Sequence, residues 1–281
     1  MINRILVAVD GSPAALAAME QAVNWAVLLK AELVAAFVAD EQRFVYYPTA
    51  ASFEGGVVIP VPLPEDRMKA EVGKVAAEEK EIRAAHQKAT QGKKIATRFL
   101  TERGDVNAIL LREARTADLV VIGKRGRFDP PGSRQAGPTT ETLIHDALRP
   151  VLVVPANSRT QGPFLIAYDD SKGVQRILPA AMDLTAGAGQ SAIVLTVDDK
   201  ADRAAALQAA LKPYLASHNV SVKLIVERGK AASTIVKVAE SQGAGLIVMG
   251  AFNRNPVYEL FFGSTTLGVL ERSPCPVLLT A

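Results

Sequence analysis

The feature that most constrains this chain is an internal repeat of its apolar and turn segments. Four matches follow one another in the same order along the sequence: residues 5–12 with 164–171, 101–104 with 226–229, 119–123 with 246–250, and 149–152 with 275–278. Since four ordered matches are hard to obtain by chance, the sequence predicts a tandem duplication. Length alone also permits one large barrel, but 281 residues suit two domains of ordinary size. We expect a first domain at 1–156 and a second at 163–281, separated by a polar linker.

Each half alternates short apolar runs with longer segments in which apolar residues recur at helical spacing. The runs of the first half fall at 5–9, 33–38, 95–100, 119–122 and 151–154. Their length and branched side chains are typical of buried strands. Because parallel neighbouring strands need crossover connections, this alternation predicts an α/β fold whose parallel sheet is covered by helices on both faces. Residues 41–63 contain three prolines and are predicted to be an irregular excursion, which the second half mostly lacks.

Composition argues against several classes of function. A net charge of +3 and an aromatic content of 5% are too low for a nucleic-acid-binding surface with a base-stacking platform. The first apolar run stops at Asp10, too early for a signal peptide or a membrane span. Cys275 is the only cysteine, so no intramolecular disulfide can form and a reducing compartment is favoured. We therefore expect a cytoplasmic protein without nucleic-acid or membrane partners, in which Cys275 is a core thiol.

Glycine and hydroxyl residues follow the fourth apolar run of the second half. Gly250 closes this run, and Gly263 leads through Ser264 and Thr265 into a predicted helix. Glycines let the backbone approach a ligand, and a helix start offers unpaired N–H groups and a positive dipole end to an anion. The stretch therefore predicts a phosphate cradle. The alternative is structural, with Gly263 as a turn glycine and Ser264 as a helix cap.

With both halves laid out, the chain resembles a tandem universal stress protein over nearly its whole length. The hallmark of that family is Gly, two residues, Gly, nine residues, Gly, then Ser or Thr, together with an Asp that ends the first strand. The resemblance implies two doubly wound, five-stranded parallel-sheet domains of order 3-2-1-4-5, similar to adenine nucleotide α-hydrolases. It also implies ATP or AMP as ligand, with or without Mg²⁺. That order puts a topological switch between the first and fourth strands, where open α/β sheets bind ligands.

In the second half, the resemblance assigns nucleotide-binding roles to seven residues: Asp169, Val197, Gly250, Asn253, Gly263, Ser264 and Thr265. Gly263 and Ser264 would offer backbone N–H groups to the phosphates, and Asp169 would face the adenosine end. The backbone near Val197 would meet the adenine. Asn253 departs from the hallmark, because it stands where the second glycine is expected. Asn tolerates positive φ better than most residues, but its side chain could intrude on the phosphates.

The first half departs further from the hallmark. Its equivalent residues are Asp10, Val38, Gly123, Gly126, Gly137 and Thr139. Ten residues rather than nine separate Gly126 from Gly137, and Pro138 replaces the expected Ser or Thr. Because proline has no N–H, it removes a donor where the cradle needs one. We expect a degenerate first site, in which Lys124, Arg125, Arg127 and Arg134 either bind phosphate or face solvent.

The resemblance implies a nucleotide-responsive stress protein with little or no turnover. It also implies an intrachain pseudo-dimer joined through strands at 151–154 and 277–279, with a further homodimer left open. Two alternatives remain: a nucleotide-free scaffold that binds a protein partner, and a slow ATP-hydrolysing enzyme. No residue stands out as a catalytic base. The three histidines lack the paired spacing of a zinc site, and His86, late in a predicted helix, is expected at the surface.

Overall fold

The computed structural model describes residues 2–47, 59–130, 133, 135–218, 220–251 and 263–280. The first half comprises β1 (Arg4–Ala8), α1 (Pro13–Leu29), β2 (Glu32–Asp40), a 3-10 helix (Glu41–Phe44), β3 (Val45–Tyr46), β4 (Val61–Pro62), α2 (Glu65–Thr90), β5 (Thr97–Gly104), α3 (Val106–Ala114), β6 (Leu119–Gly123), α4 (Pro138–Asp146) and β7 (Val151–Val154). The second half comprises β8 (Phe164–Ala167), α5 (Lys172–Gly187), β9 (Ala192–Val197), α6 (Ala201–Ala216), β10 (Val222–Glu227), α7 (Ala231–Ser241), β11 (Leu246–Gly250), α8 (Ser264–Arg272) and β12 (Val277–Thr280).

Ten strands form one sheet in the order β10-β9-β8-β11-β12-β7-β6-β1-β2-β5. Counted within each half, the order of the strands in this sheet is 3-2-1-4-5, and every pairing of this sheet inside a half is parallel, which confirms the predicted fold class. The two halves meet where β7 and β12 pair antiparallel, with Leu152 opposite Leu278. Each closing strand thereby covers the edge of the other, as predicted, which satisfies backbone groups that would otherwise be exposed.

The excursion after β2 is more regular than expected at its two ends. A 3-10 helix leads into β3, and β3 pairs antiparallel with β4 to form a two-stranded ribbon. Residues 48–58 lie outside the described part of the chain. The sequence did not predict this ribbon, because strands of two residues are too short to show a periodic pattern.

Helices cover both faces of the sheet. One face packs against α1, α2, α5 and α6 and the other against α3, α4, α7 and α8, so that each core cluster runs through both halves. Trp25 of α1 lies edge to face against Phe164 of β8, with ring centroids 5.7 Å apart and both side chains buried. Such a pair contributes roughly 1 kcal/mol beyond the area it buries. Trp25 is thus a packing residue, and it packs across the junction of the halves.

His86 is buried rather than exposed, contrary to the sequence-based expectation. Only 5% of the residue is accessible, its Nε2 lies 2.8 Å from Thr97 Oγ1, and its ring packs against Phe99. Burial lowers the pKa of His86, and the charge of Arg83 adds to this effect. The expectation was wrong because it rested on the position of His86 near the end of α2. His86 lies on the face of α2 that packs against β5. Cys275 is buried as predicted, and burial raises the pKa of its thiol to about 11.

Candidate functional site

Each half carries a cleft at the carboxyl ends of its first and fourth strands. The first cleft is lined by all six residues expected there, Asp10, Val38, Gly123, Gly126, Gly137 and Thr139, and holds about 520 Å³ of empty space, part of it open to solvent. The second cleft holds about 630 Å³ on the same measure and is lined by Asp169, Val197, Gly250, Gly263 and Thr265. Ser264 is exposed and does not line it, and Asn253 lies outside the described residues. The structure therefore gathers most of the candidate residues at the two topological switch points.

Both clefts have an apolar floor beside the acidic residue. In the first cleft this floor includes Ala36, Val106 and Leu110, and in the second it includes Leu195, Ala231 and Ile235. The residues come from the second strand and from the helix after the third strand of each half. A flat apolar group could be buried there while its polar end points toward the helix start after the fourth strand.

The turn after each first strand is stabilised by the carboxylate at its start. Asp10 accepts hydrogen bonds from the N–H groups of Ser12 at 2.9 Å and Arg127 at 2.6 Å, so it links this turn to the loop after β6. Asp169 accepts a bond from the N–H of Ser171 at 3.0 Å. Each carboxylate oxygen can accept more than one bond, so both residues retain capacity for a ligand hydroxyl.

The glycines that end β6 and β11 are explained by packing rather than by ligand approach. A Cβ on Gly123 would lie 2.6 Å from the backbone of Ala14 and Ala15 at the start of α1. A Cβ on Gly250 would lie 3.1 Å from the backbone nitrogen of Val174, near the start of α5. Both glycines let the fourth strand of their half pack closely against the first helix of that half, α1 or α5. Each glycine also lines the cleft of its half.

Two buried threonines, which sequence reasoning did not single out, fix the helices that follow the fourth strands. Thr140 Oγ1 of α4 donates to the carbonyl of Gly123 at 3.0 Å, and Thr266 Oγ1 of α8 donates to the carbonyl of Ala251 at 2.7 Å. They hold the first turn of each helix at the mouth of its cleft. The available signal was the second threonine that follows both Gly137 and Gly263 at the same distance.

Asp129 is a further residue of the first cleft that sequence reasoning missed. Its Oδ2 accepts a hydrogen bond from the N–H of Gly126 at 2.7 Å, and a Cβ on Gly137 would collide with this same oxygen. Arg125 Nε lies 3.9 Å away. The carboxylate thus lies between the two glycines that were expected to approach a phosphate. The sequence signal was an Asp three residues after Gly126, a spacing that suits a local side-chain-to-backbone bond.

The cations of the loop after β6 are engaged within the protein. Lys124 Nζ donates to the carbonyl of Glu271 at 3.0 Å, near the C-terminal end of α8. Arg125 donates to the carbonyls of Pro130 and Ser133 in its own loop. Arg127 Nη1 lies 3.7 Å from Glu78 Oε1 of α2. Arg134 falls outside the described residues. For the three described cations, these contacts favour a role in loop structure over one in phosphate binding.

An ion-pair network attaches the same loop to the excursion and to α2. Arg43 lies 2.6 Å from Glu78 and 2.7 Å from Glu71, and all three side chains are largely buried. The Arg43 guanidinium also lies 5.1 Å from the centroid of the Phe128 ring, a cation–π distance. The loop that borders the first cleft is therefore in contact with the excursion, through Arg43, and with α2, through Glu78.

The described part of the chain contains neither a cluster of metal ligands nor a helix suited to a membrane. No cluster of three or more His, Cys, Asp or Glu residues that could hold a metal ion occurs there. Within the same residues, no helix combines the length and the apolar character that crossing a bilayer requires.

Comparison with known proteins agrees with the repeat and the fold. The sequence model of the Universal stress protein family matches residues 1–155 and 162–281. A universal stress protein of Synechocystis sp. is 30% identical over 165 residues, which are 57% of this chain and 57% of that protein. The chain thus spans little more than half the length of this relative.

Two solved structures have the same architecture over the whole chain. A universal stress protein from Archaeoglobus fulgidus DSM 4304 is 20% identical, with a TM-score of 0.73 over 100% of this chain and 98% of its own. A putative universal stress protein from Pseudomonas aeruginosa UCBPP-PA14 is 18% identical, with a TM-score of 0.62 over 99% and 93%. At these identities the structures support the fold alone. Because the family model matches both halves, the chain belongs to the Universal stress protein family and contains two tandem copies of its domain.

Proposed function

We propose that the protein binds an adenine nucleotide, ATP or AMP, in the second cleft and acts as a stress-response regulator with little or no turnover. The observation that carries the proposal is the composition of that cleft. Asp169, Val197, Gly263 and Thr265 line one opening at a topological switch point, beside the start of α8. Open α/β sheets bind ligands at such points, and helix starts attract phosphate.

Each part of the second cleft suits one part of a nucleotide. The apolar floor near Val197 and Ile235 would take the adenine, and Asp169 would accept hydrogen bonds from ribose hydroxyls. The first backbone N–H groups of α8 would meet the phosphates, and its first turn contains no acidic residue to oppose them. Mg²⁺ would enter with the phosphates of ATP, whose oxygens are its preferred ligands.

Binding would act by shifting a conformational or partner equilibrium. A nucleotide can shift such an equilibrium only by its differential affinity for the two states. Because α8 borders the second cleft and its C-terminal end receives Lys124 from the first half, a ligand at the start of α8 could alter the contact between the halves. We place this activity in the cytoplasm, consistent with a single buried thiol. A protein partner and a homodimer are compatible with this role.

Gly263→Val tests the proposal directly. A valine at the start of α8 should crowd the phosphates and lower ATP and AMP affinity by roughly tenfold or more, measured by isothermal titration calorimetry. Gly73→Val is the matched control, because a Cβ on Gly73 would meet nothing within 4 Å, so this variant should bind like the unmodified protein. Unchanged affinity in Gly263→Val would move the ligand to another site.

Native mass spectrometry of freshly purified protein separates the remaining alternatives. A co-purified adenine nucleotide would support the proposal. A protein without nucleotide and without a thermal shift on adding ATP and Mg²⁺ would instead favour the scaffold that binds a protein partner. Phosphate or pyrophosphate release above background, lost in Gly263→Val, would favour the slow enzyme.

A further inference from the structure

We propose that Asp129 makes the first cleft selective for a ligand without phosphate, namely a nucleoside. Its carboxylate takes the place of an anionic group at the start of α4, so the first cleft would accept adenosine and reject AMP and ATP. This inference rests on the proposed function, because it assumes that the two clefts share a nucleoside-binding architecture.

The position of the Asp129 carboxylate carries the inference. Its Oδ2 accepts the N–H of Gly126 at 2.7 Å and fills the space that the missing side chain of Gly137 leaves open. Gly137 immediately precedes α4, so the carboxylate lies near a helix start, where an anion is favoured. A phosphate group would need this same space and this same donor, and it therefore cannot enter while Asp129 stays in place.

The surroundings hold Asp129 in this position. Arg125 approaches the carboxylate on one side while binding two carbonyls of its own loop. Arg127, two residues before Asp129, is held by its N–H, which donates to Asp10 at 2.6 Å, and by its guanidinium, 3.7 Å from Glu78. Phe128, beneath Arg43, is 70% exposed and adds little. The Asp129 side chain is only 15% exposed. Displacing it would therefore disturb several contacts at once.

The charge in this cleft also opposes a phosphate. Two carboxylates, Asp10 and Asp129, and one cation, Arg125, line it, and Glu141 lies in the first turn of α4. The Arg125 guanidinium is engaged by the carbonyls of Pro130 and Ser133, so the carboxylates outnumber the cation in the cleft. Burial raises the pKa of Glu141, and the nearby charge of Asp129 adds to that rise. Pro138 contributes no N–H to the helix start. In the second cleft, the residue at the position of Glu141 is Leu267, which carries no charge.

The remaining space suits a nucleoside. Val38, Val106 and Leu110 provide apolar surface for a base, and the cleft retains about 520 Å³ of empty space. Hydroxyl groups of a ribose can donate to Asp10 and Asp129, whereas an ionised phosphate offers these carboxylates only acceptors and negative charge. The carboxylate that excludes a phosphate is thus a suitable acceptor for a free 5′-hydroxyl.

The test compares adenosine with AMP in a background that carries Gly263→Val and Ala231→Trp, which block the phosphate end and the apolar floor of the second cleft, so that this cleft contributes to neither measurement. Isothermal titration calorimetry should give an adenosine affinity roughly tenfold or more above that for AMP. Adding Asp129→Ala or Asp129→Ser should remove this preference, because both vacate the space beside Gly137, with a gain in AMP affinity of roughly tenfold. Asp146→Ala is the matched control, because it removes the same charge from an exposed side chain of α4. It should leave the preference intact.

Three results would overturn the inference. These are equal binding of AMP and adenosine with Asp129 present, an unchanged preference in both Asp129 variants, and no binding of either ligand. Should Asp129→Ala fail to fold, Asp129→Ser decides the question alone, because its shorter side chain removes the charge and vacates the space beside Gly137. The proposed function is judged separately, from ATP and AMP binding to the second cleft of the unmodified protein, so either idea can fail while the other stands.

Discussion

The two clefts of this protein share a scaffold and differ at the end where an anion would bind. Both have an Asp after the first strand, an apolar floor and a threonine-anchored helix after the fourth strand. In the first cleft Asp129 lies near the start of α4, and Glu141 lies in the first turn of that helix. The first turn of α8 has no acidic residue. The two copies thus keep the shape of the cleft, whereas a few loop residues change its charge.

A second difference concerns what supports the loop after the fourth strand. In the first half, Arg43 and Glu78 join the excursion and α2 to the loop that carries Asp129. The second half has no such excursion, since α6 follows β9 after only three residues. Within the described residues, the contacts between the excursion and this loop have no equivalent in the second half, whose loop at 252–262 lies outside the described part of the chain.

Equivalent substitutions in the two halves should differ most in their cost in unfolding free energy at the glycines that end the fourth strands. Gly123→Ala should cost about 3 kcal/mol, because its Cβ would lie 2.6 Å from two backbone atoms. Gly250→Ala should cost only about 1 kcal/mol, because its nearest contact is 3.1 Å. Urea unfolding followed by the fluorescence of Trp25, the only tryptophan, measures both losses. Equal losses would contradict the prediction, because they would show that both helices move away from the added Cβ equally well. Gly73→Ala is the control and should show no loss, since its Cβ would meet nothing within 4 Å.

A smaller effect is expected from the ion pairs of the first half. Glu78→Ala should destabilise the protein by about 2 kcal/mol, because it leaves the Arg43 charge largely buried with one fewer partner. Glu65→Ala removes an ion pair whose two side chains are more than 75% exposed, and should cost less than about 0.5 kcal/mol. The same urea titration compares the two. A Glu78 variant as stable as the Glu65 variant would show that the loop does not depend on this network.

The sequence was sufficient to predict the fold because two independent signals agreed. Short branched runs such as 119–122 predict buried strands, and their ordered recurrence predicts the duplication. The strand order and the pairing of β7 with β12 came from the family resemblance, and the structure confirms both. The face of a helix was harder to predict. His86 lies among charged residues of α2, and only the contact with β5 reveals that it is buried.

The sequence predicted where the two clefts lie. It did not predict which side chain would fill the phosphate end of the first cleft. Asp10 and Gly137 were expected in one cleft because strand ends meet at a switch point, and they do line the same cleft. The spacing of Asp129 from Gly126 suits a local side-chain-to-backbone bond, but it does not reveal that the carboxylate also fills the space beside Gly137. Gly123 looked like a ligand-contact glycine, but the helix that it contacts becomes apparent only in three dimensions.

Acid should destabilise the protein in part through His86 of the first half. Because burial lowers the folded-state pKa of His86, its neutral form contributes stability that is present above the unfolded value and lost as pH falls through the folded value. Unfolding at about pH 7.5 and about pH 5 should therefore show a loss that is smaller in His86→Gln. His218→Gln, which alters a partly exposed histidine at the end of α6, should keep the full loss. An identical acid loss in both variants would assign it to carboxylates instead.

The smallest effect should come from exchanging the residues at the turn after the first strand. Gly11 and Asp170 both have positive φ, 79° and 64°, yet only glycine adopts this conformation without strain. Asp170 is bonded there by the hydroxyl of Tyr168 at 2.9 Å and the amide of Gln175 at 2.7 Å. Asp170→Gly should therefore change stability by less than about 0.5 kcal/mol, because relief of strain offsets the loss of both bonds.

The reverse exchange should not be neutral. Gly11→Asp would introduce the same strain, and the residues at the positions of Tyr168 and Gln175 are Val9 and Leu16, which offer no hydrogen-bonding side chain. Its Cβ would also lie 3.3 Å from Ile82 Cγ1. We expect a loss of about 1 kcal/mol in the same urea titration. Equal and negligible effects of both exchanges would show that the turn accepts either residue in either half, and that the hydrogen bonds of Asp170 are not what makes its conformation tolerable.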